Sequence, residues 1–138
     1  MAVKLPSDYR PTDKEKFMNP KMLEYFRRKL LHWREQILAE SQQTLQKLQE
    51  ETGQEPDMAD RASSESERAL ELRARERQHK LIDKIDAALK RVGDGSYGYC
   101  EETGEPITLK RLEARPIATL SIEAQERHER RERTYREE

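Results

Sequence analysis

Gly98-Tyr99-Cys100-Glu101-Glu102-Thr103-Gly104-Glu105-Pro106, followed by Thr119-Leu120-Ser121-Ile122-Glu123-Ala124, begins like a zinc knuckle and then fails to complete one. Structural zinc takes four Cys or His ligands in tetrahedral geometry. At the C-x2-C then C-x2-C spacing of such modules, the four corners fall on Cys100, Thr103, Ser121 and Ala124. Two of these are neutral hydroxyls, which are weak donors to a metal at pH 7, and the fourth is a methyl group. The histidines His32, His79 and His128 do not restore a ligand pair; only His128, seven residues after Ser121, lies within reach of the same helix face. The expectation is a knuckle-shaped module without bound zinc, closed by a small apolar core of Ile107, Leu109, Leu112, Ile117, Leu120 and Ile122. Cys100 reads as a small buried hydrophobe, with a reactive thiol as the alternative. Ser121 is placed to cap a final helix over about 121–135.

Upstream, Gly93-Asp94-Gly95-Ser96-Tyr97-Gly98 separates this module from two long helical segments. Asn19-Pro20 is an N-cap followed by proline at the first helical position. From it Leu23, Phe26, Leu30, Trp33, Ile37, Thr44 and Leu48 recur at spacings dominated by three and four, with Glu40 as a polar interruption, which predicts a helix over about 20–51. Thr52-Gly53-Gln54-Glu55-Pro56 breaks it. Asp57, Asp60 and Ser63 are each candidates to cap the next helix. That helix runs to about Val92 on a looser stripe of Ala62, Ala69, Leu70, Ala74, Leu81, Ile85, Ala88 and Val92. Two long helices across a short break fold back on each other. The competing arrangement, a long coiled coil between two copies, is disfavoured by the proline in the break. Downstream, a turn near Thr103-Gly104 precedes a short strand or loop from Ile107 to Leu112.

Composition agrees with a helical rod. Of 138 residues, 33% are hydrophobic and 40% charged, too little apolar matter for a large spherical core but enough for paired stripes. The net charge of −1 offers no concentrated basic field for nucleic acid. A single cysteine excludes an internal disulfide framework. No apolar run is long enough to span a membrane, and Met1 to Arg10 lacks the hydrophobic middle of a signal peptide, so a cytoplasmic location is expected. The fold class read from these features is mainly α: a long antiparallel coiled-coil hairpin plus a small zinc-finger-like globular module with a C-terminal helix. The divisions are an arm over 1–18, a hairpin over 19–92 with its tip near 53–62, and a degenerate module over 93–138.

Several blocks, in this order and spacing, resemble the DksA/TraR family of bacterial transcription factors. They are Phe17-Met18-Asn19-Pro20, Pro56-Asp57-Met58-Ala59-Asp60-Arg61-Ala62, Leu70-Glu71-Leu72-Arg73-Ala74-Arg75, Lys80-Leu81-Ile82-Asp83-Lys84-Ile85, Tyr97-Gly98-Tyr99-Cys100 and Arg111-Leu112-Glu113-Ala114-Arg115-Pro116. The resemblance covers nearly the whole chain. It implies a regulator that binds RNA polymerase rather than a promoter sequence. The hairpin enters the secondary channel, and its acidic tip acts near the catalytic region on initiation, including at ribosomal RNA promoters.

By the same resemblance the tip motif falls on Asp57, Asp60 and Ala62. The nucleotide ppGpp is implied as a regulatory ligand shared with polymerase. Its site points to Lys84 and Arg115, with Lys80 and Arg111 as neighbours; lysine and arginine suit phosphates as mobile cation and donor fork. Better-known members carry lysine just after the fourth zinc position, where this chain has Gln125, one positive charge fewer. Members with fewer cysteines are a recognised variant.

The leading expectation is therefore a monomeric, non-enzymatic regulator without sequence-specific DNA binding, since no nucleophile and base set is evident. The alternatives are a Gre-like cleavage factor, a direct DNA binder and a coiled-coil scaffold.

Overall fold

A computed structural model describes residues 3–51 and 58–137, without the side chains of Leu48, 51–64 and 136–137. Four helices follow in order: α1 (Pro20–Glu51), α2 (Met58–Asp94), α3 (Leu109–Ala114) and α4 (Ile122–Glu137). The predicted tip segment, including Asp57, lies largely outside the described residues. Asp60 and Ala62 are in α2, and their side chains are likewise outside that set.

The start of α1 is set by its cap. The Asn19 side-chain oxygen accepts from the Met22 N–H at 2.9 Å, and its carbonyl accepts from Leu23 at 3.0 Å. These bonds satisfy donors that an uncapped helix leaves orphaned. The helix pair packs antiparallel, as expected. In the compact unit Leu31–Asp86, Arg34 meets Asp86 at 2.8 Å and Lys47 meets Glu71 at 3.2 Å. Moving forward along α1 thus means moving backward along α2.

Ile37 and Ile85 are buried in this unit, and Trp33 and Leu81 are half-buried. The outward-facing residues of α2 differ from the expected stripe. Leu70 is 62% exposed and Ala69 is also exposed, whereas Glu71, Ala74 and Gln78 turn inward. Back from Ala74 a step of three reaches Glu71 and a step of four reaches Leu70, so spacing alone admits either, and it is Glu71 that faces inward, paired with Lys47 of α1.

The second unit comprises Met1–Leu30 and Ala87–Glu138. Its core holds Met22, Phe26, Leu30, Ala88, Tyr97, Ile107, Leu112 and Ala124, all at most 1% exposed. Burying such side chains contributes about 1.5–3 kcal/mol each against exposure. Tyr97 packs its ring 5.5 Å from that of Phe26 and donates its hydroxyl to the Pro116 carbonyl at 2.8 Å. The arm is held by close approach. Gly98 sits at φ +92°, and a Cβ there would lie 2.8 Å from the Met18 methyl. Phe17 meets the Tyr99 ring edge-on at 5.4 Å.

Two expectations for this unit change. The segment after the turn is a helix, α3, rather than a strand or loop. Thr108 caps it by accepting from Arg111 N–H, and Leu109 and Leu112 then share one face. The only bridge among the described residues joins Tyr99 to Pro106. Of the six proposed core residues, Ile107, Leu112 and Ile117 are buried and Leu109 and Leu120 half-buried, but Ile122 is 48% exposed. With Ser121 as N-cap, the first helical turn directs Ala124 inward and Ile122 outward.

Candidate functional site

The knuckle is built from two turns tied by backbone bonds. Cys100 N–H donates to the Glu105 carbonyl and Gly104 N–H to the Cys100 carbonyl, both at 2.8 Å. Gly104 closes this turn at φ +74°, a conformation glycine adopts without a Cβ penalty. Glu101 N–H donates to the Thr119 carbonyl at 2.9 Å, which draws the second stretch against the first.

Cys100 is 2% exposed. Burial pushes its thiol up, but the Thr103 hydroxyl and the N–H groups of Ser121, Thr103 and Glu102 outweigh this, taking it from 9.0 to about 6. Donors aimed at a sulfur favour its charged form. Cys100 is thus buried, as a small hydrophobe would be, with its thiol held below the ordinary value.

The structure brings Cys100, Thr103 and Ser121 together, yet their chemistry does not fit zinc. Thr103 Oγ1 accepts from Glu105 N–H at 3.2 Å. Ser121 Oγ accepts from Ala124 N–H at 3.2 Å, the cap anticipated from sequence. Ala124 fills its corner with a fully buried methyl. One thiol, two neutral hydroxyls and a methyl cannot make a tetrahedral zinc set. His128 does not supply a further ligand; its Nδ1 lies 3.4 Å from Glu132. Among the described residues no group of three or more His, Cys, Asp or Glu is placed to hold a metal ion.

The basic residues divide between the two units. Lys80 and Lys84 are exposed, four residues apart on one face of α2. Arg115 is exposed at the end of α3, its N–H donating to the Arg111 carbonyl at 2.8 Å. Arg111 is half-buried and spends its Nε on the Leu120 carbonyl at 2.8 Å, so part of its fork is structural. Gln125 donates to Glu129 at 3.2 Å.

A cluster without any local sequence signal joins α1 to α3. Lys29 Nζ lies 2.6 Å and the Tyr25 hydroxyl 2.9 Å from the same Glu113 oxygen. Burial raises Glu113, but these two donors prevail and hold its carboxyl below the ordinary value. Arg10 reaches the Tyr25 hydroxyl at 3.5 Å. Beside the cluster is an open groove of about 520 Å³, lined in part by Tyr9, Arg10, Tyr25, Arg28 and Lys29. Lys29 is paired with Glu113, Arg28 shares Glu24 with Arg27, and Arg10 meets the Tyr25 hydroxyl, so the groove is cationic on balance.

Two family descriptions match successive parts of the chain. Residues 22–92 match the "DnaK suppressor protein DksA, N-terminal domain", and residues 95–130 match the "Prokaryotic dksA/traR C4-type zinc finger". A protein of Caulobacter vibrioides named RNA polymerase-binding transcription factor DksA is 69% identical over 131 residues, 95% of this chain and 92% of that protein.

The chain belongs to the DksA family.

The Escherichia coli K12 DksA protein of the same name is 43% identical over 133 residues, 96% of this chain and 88% of its own. The solved structure of transcription factor DksA2 from Pseudomonas aeruginosa matches with a TM-score of 0.79 and 47% identity. That match covers 85% of this chain and 90% of the other. This DksA-family chain thus retains the zinc-finger region of its family while three of the four zinc corners carry no thiol. No helix among its described residues is long and apolar enough to cross a membrane.

Proposed function

We propose that this protein binds RNA polymerase and regulates transcription initiation through the secondary channel, without enzymatic activity of its own. The observation that carries the reading is the 69% identity, across 95% of the chain, to a protein named RNA polymerase-binding transcription factor DksA. The antiparallel pairing of α1 and α2 supports it, being the helical hairpin that the family resemblance implies. On this reading Asp57 and Asp60 act at polymerase, and Ala62 permits close approach. The protein works as a cytoplasmic monomer and reads no DNA sequence.

Regulation by ppGpp belongs to the same proposal. Lys80, Lys84, Arg111 and Arg115 contribute the cationic side of a pocket completed by polymerase, and Gln125 lowers its charge relative to lysine-bearing relatives. The knuckle works without zinc, its thiol taking donors in place of a metal.

The test is single-round transcription from a ribosomal RNA promoter with cognate polymerase, with and without ppGpp. Wild-type protein is expected to inhibit, and ppGpp to deepen the effect. The Asp57→Asn, Asp60→Asn double variant should bind polymerase normally and lose inhibition. A folded, bound double variant that inhibits like wild type would remove the acidic pair from the mechanism.

A further inference from the structure

Burial is uneven along the seam of the Leu31–Asp86 unit. The stretch around Trp33, Ile37, Leu81 and Ile85 is apolar, with Ile37 4% exposed and Ile85 fully buried. Toward the connection between α1 and α2 the inward positions become mostly polar, with Ala74 the small apolar exception among those described on α2. α2 keeps its three-four spacing, but Glu71 and Gln78 now stand where Ile85 stands further on. Across from them, Ser41 and Thr44 of α1 are half-buried.

Three polar atoms in this stretch are out of solvent with no hydrogen-bond partner among the described residues: Glu71 Oε2, Arg75 Nε and Gln78 Oε1. The other Glu71 oxygen meets Lys47 at 3.2 Å. Apolar alternatives exist beside the seam and are spent outward. Leu45, Leu70 and Leu72 are 38%, 62% and 52% exposed.

An unpartnered buried polar atom has given up water without a replacement, and opening the seam returns that water. Half-satisfied polar seams therefore resist opening less than apolar ones of equal length.

We propose that the outer described stretch of the helix pair, residues 41–47 of α1 with 71–78 of α2, is a separately opening, weakly held unit. It separates while the stretch around Trp33, Ile37, Leu81 and Ile85 stays paired. In combination with the proposed function, on which this last step rests, the opening lets the acidic pair reposition inside polymerase without unfolding the inner helices.

Hydrogen exchange on the intact free protein tests the opening directly. Amides over 41–47 and 71–78 should exchange about a hundredfold faster than those over 31–37 and 81–86, with a step where the seam changes character. Simple end fraying would be insensitive to the seam, so a filled seam separates the two causes. The Glu71→Leu, Gln78→Leu variant should slow the outer amides about tenfold and leave the inner ones alone. Gln78→Leu by itself keeps the Lys47–Glu71 pair and should slow them in the same direction, which covers a double variant that misfolds. Equal protection along both helices, or no slowing in either variant, overturns the proposal.

Polymerase enters only in a second arm. A filled-seam variant should bind polymerase and inhibit transcription less than wild type. Slowed exchange with full inhibition overturns the link to repositioning. A wild type that has no effect on transcription, beside the predicted exchange pattern, overturns the functional reading and upholds the opening.

Discussion

The lowered Cys100 thiol makes a measurable prediction about stability. Cys100 titrates near 6 in the folded chain, against 9.0 for the ordinary thiol. Between those values the folded state holds the thiolate while the unfolded state holds the thiol. The unfolded state then binds more protons, so stability rises with pH across that window and falls as pH drops through about 6. The limiting slope is about 1.4 kcal/mol per pH unit. From pH 6 to pH 8 this amounts to about 2 kcal/mol, and screening by nearby solvent brings it to about 1–2 kcal/mol.

The assay is thermal melting of wild type and Cys100→Ala at several pH values, since other titrating groups largely cancel in the difference. The gap between the two proteins should widen from pH 6 to pH 8, by about 5 °C in melting temperature. A gap that stays constant would refute the argument. It would mean that Cys100 contributes only its volume, which does not titrate. A chelator should leave both curves in place at every pH, because the corner residues do not make a zinc set.

Other perturbations act through geometry. Gly98→Ala puts a methyl 2.8 Å from Met18 at φ +92°, and chemical denaturation should show a loss of about 2–4 kcal/mol. Tyr97→Phe removes the donor to the buried Pro116 carbonyl while keeping the ring, and the same measurement should show about 1–3 kcal/mol lost. Lys29→Ala leaves Glu113 with the Tyr25 hydroxyl alone. It should cost about 1 kcal/mol near neutral pH and less as acid protonates the carboxyl; an equal loss under acid conditions would contradict an ionic origin.

Much of the helical layout follows from the sequence because its determinants are local. Asn19-Pro20 announces the start of α1 by capping chemistry alone. The spacing of Phe26, Leu30, Trp33 and Ile37 predicts the inward side of α1, because a regular helix places such residues together whatever they pack against. Ser121 likewise announces α4 by its own side chain. The ligand losses at Thr103, Ser121 and Ala124 are legible residue by residue, since metal chemistry depends on donor type.

Tertiary structure decided what depends on partners distant in sequence. Leu70 matches a loose apolar stripe, yet the antiparallel register carries Glu71 inward and leaves Leu70 outside. The lowering of the Cys100 thiol draws on Thr103 nearby in sequence and also on Ser121, whose stretch is drawn against the first by the bond of Glu101 to Thr119. Nor could spacing place Lys29 on Glu113, since no period relates residues in α1 and α3. Helix starts and side-chain periodicity are short-range properties of a chain. Which polar groups meet, and which apolar ones are left in water, is settled only when separate elements compete for the same buried volume.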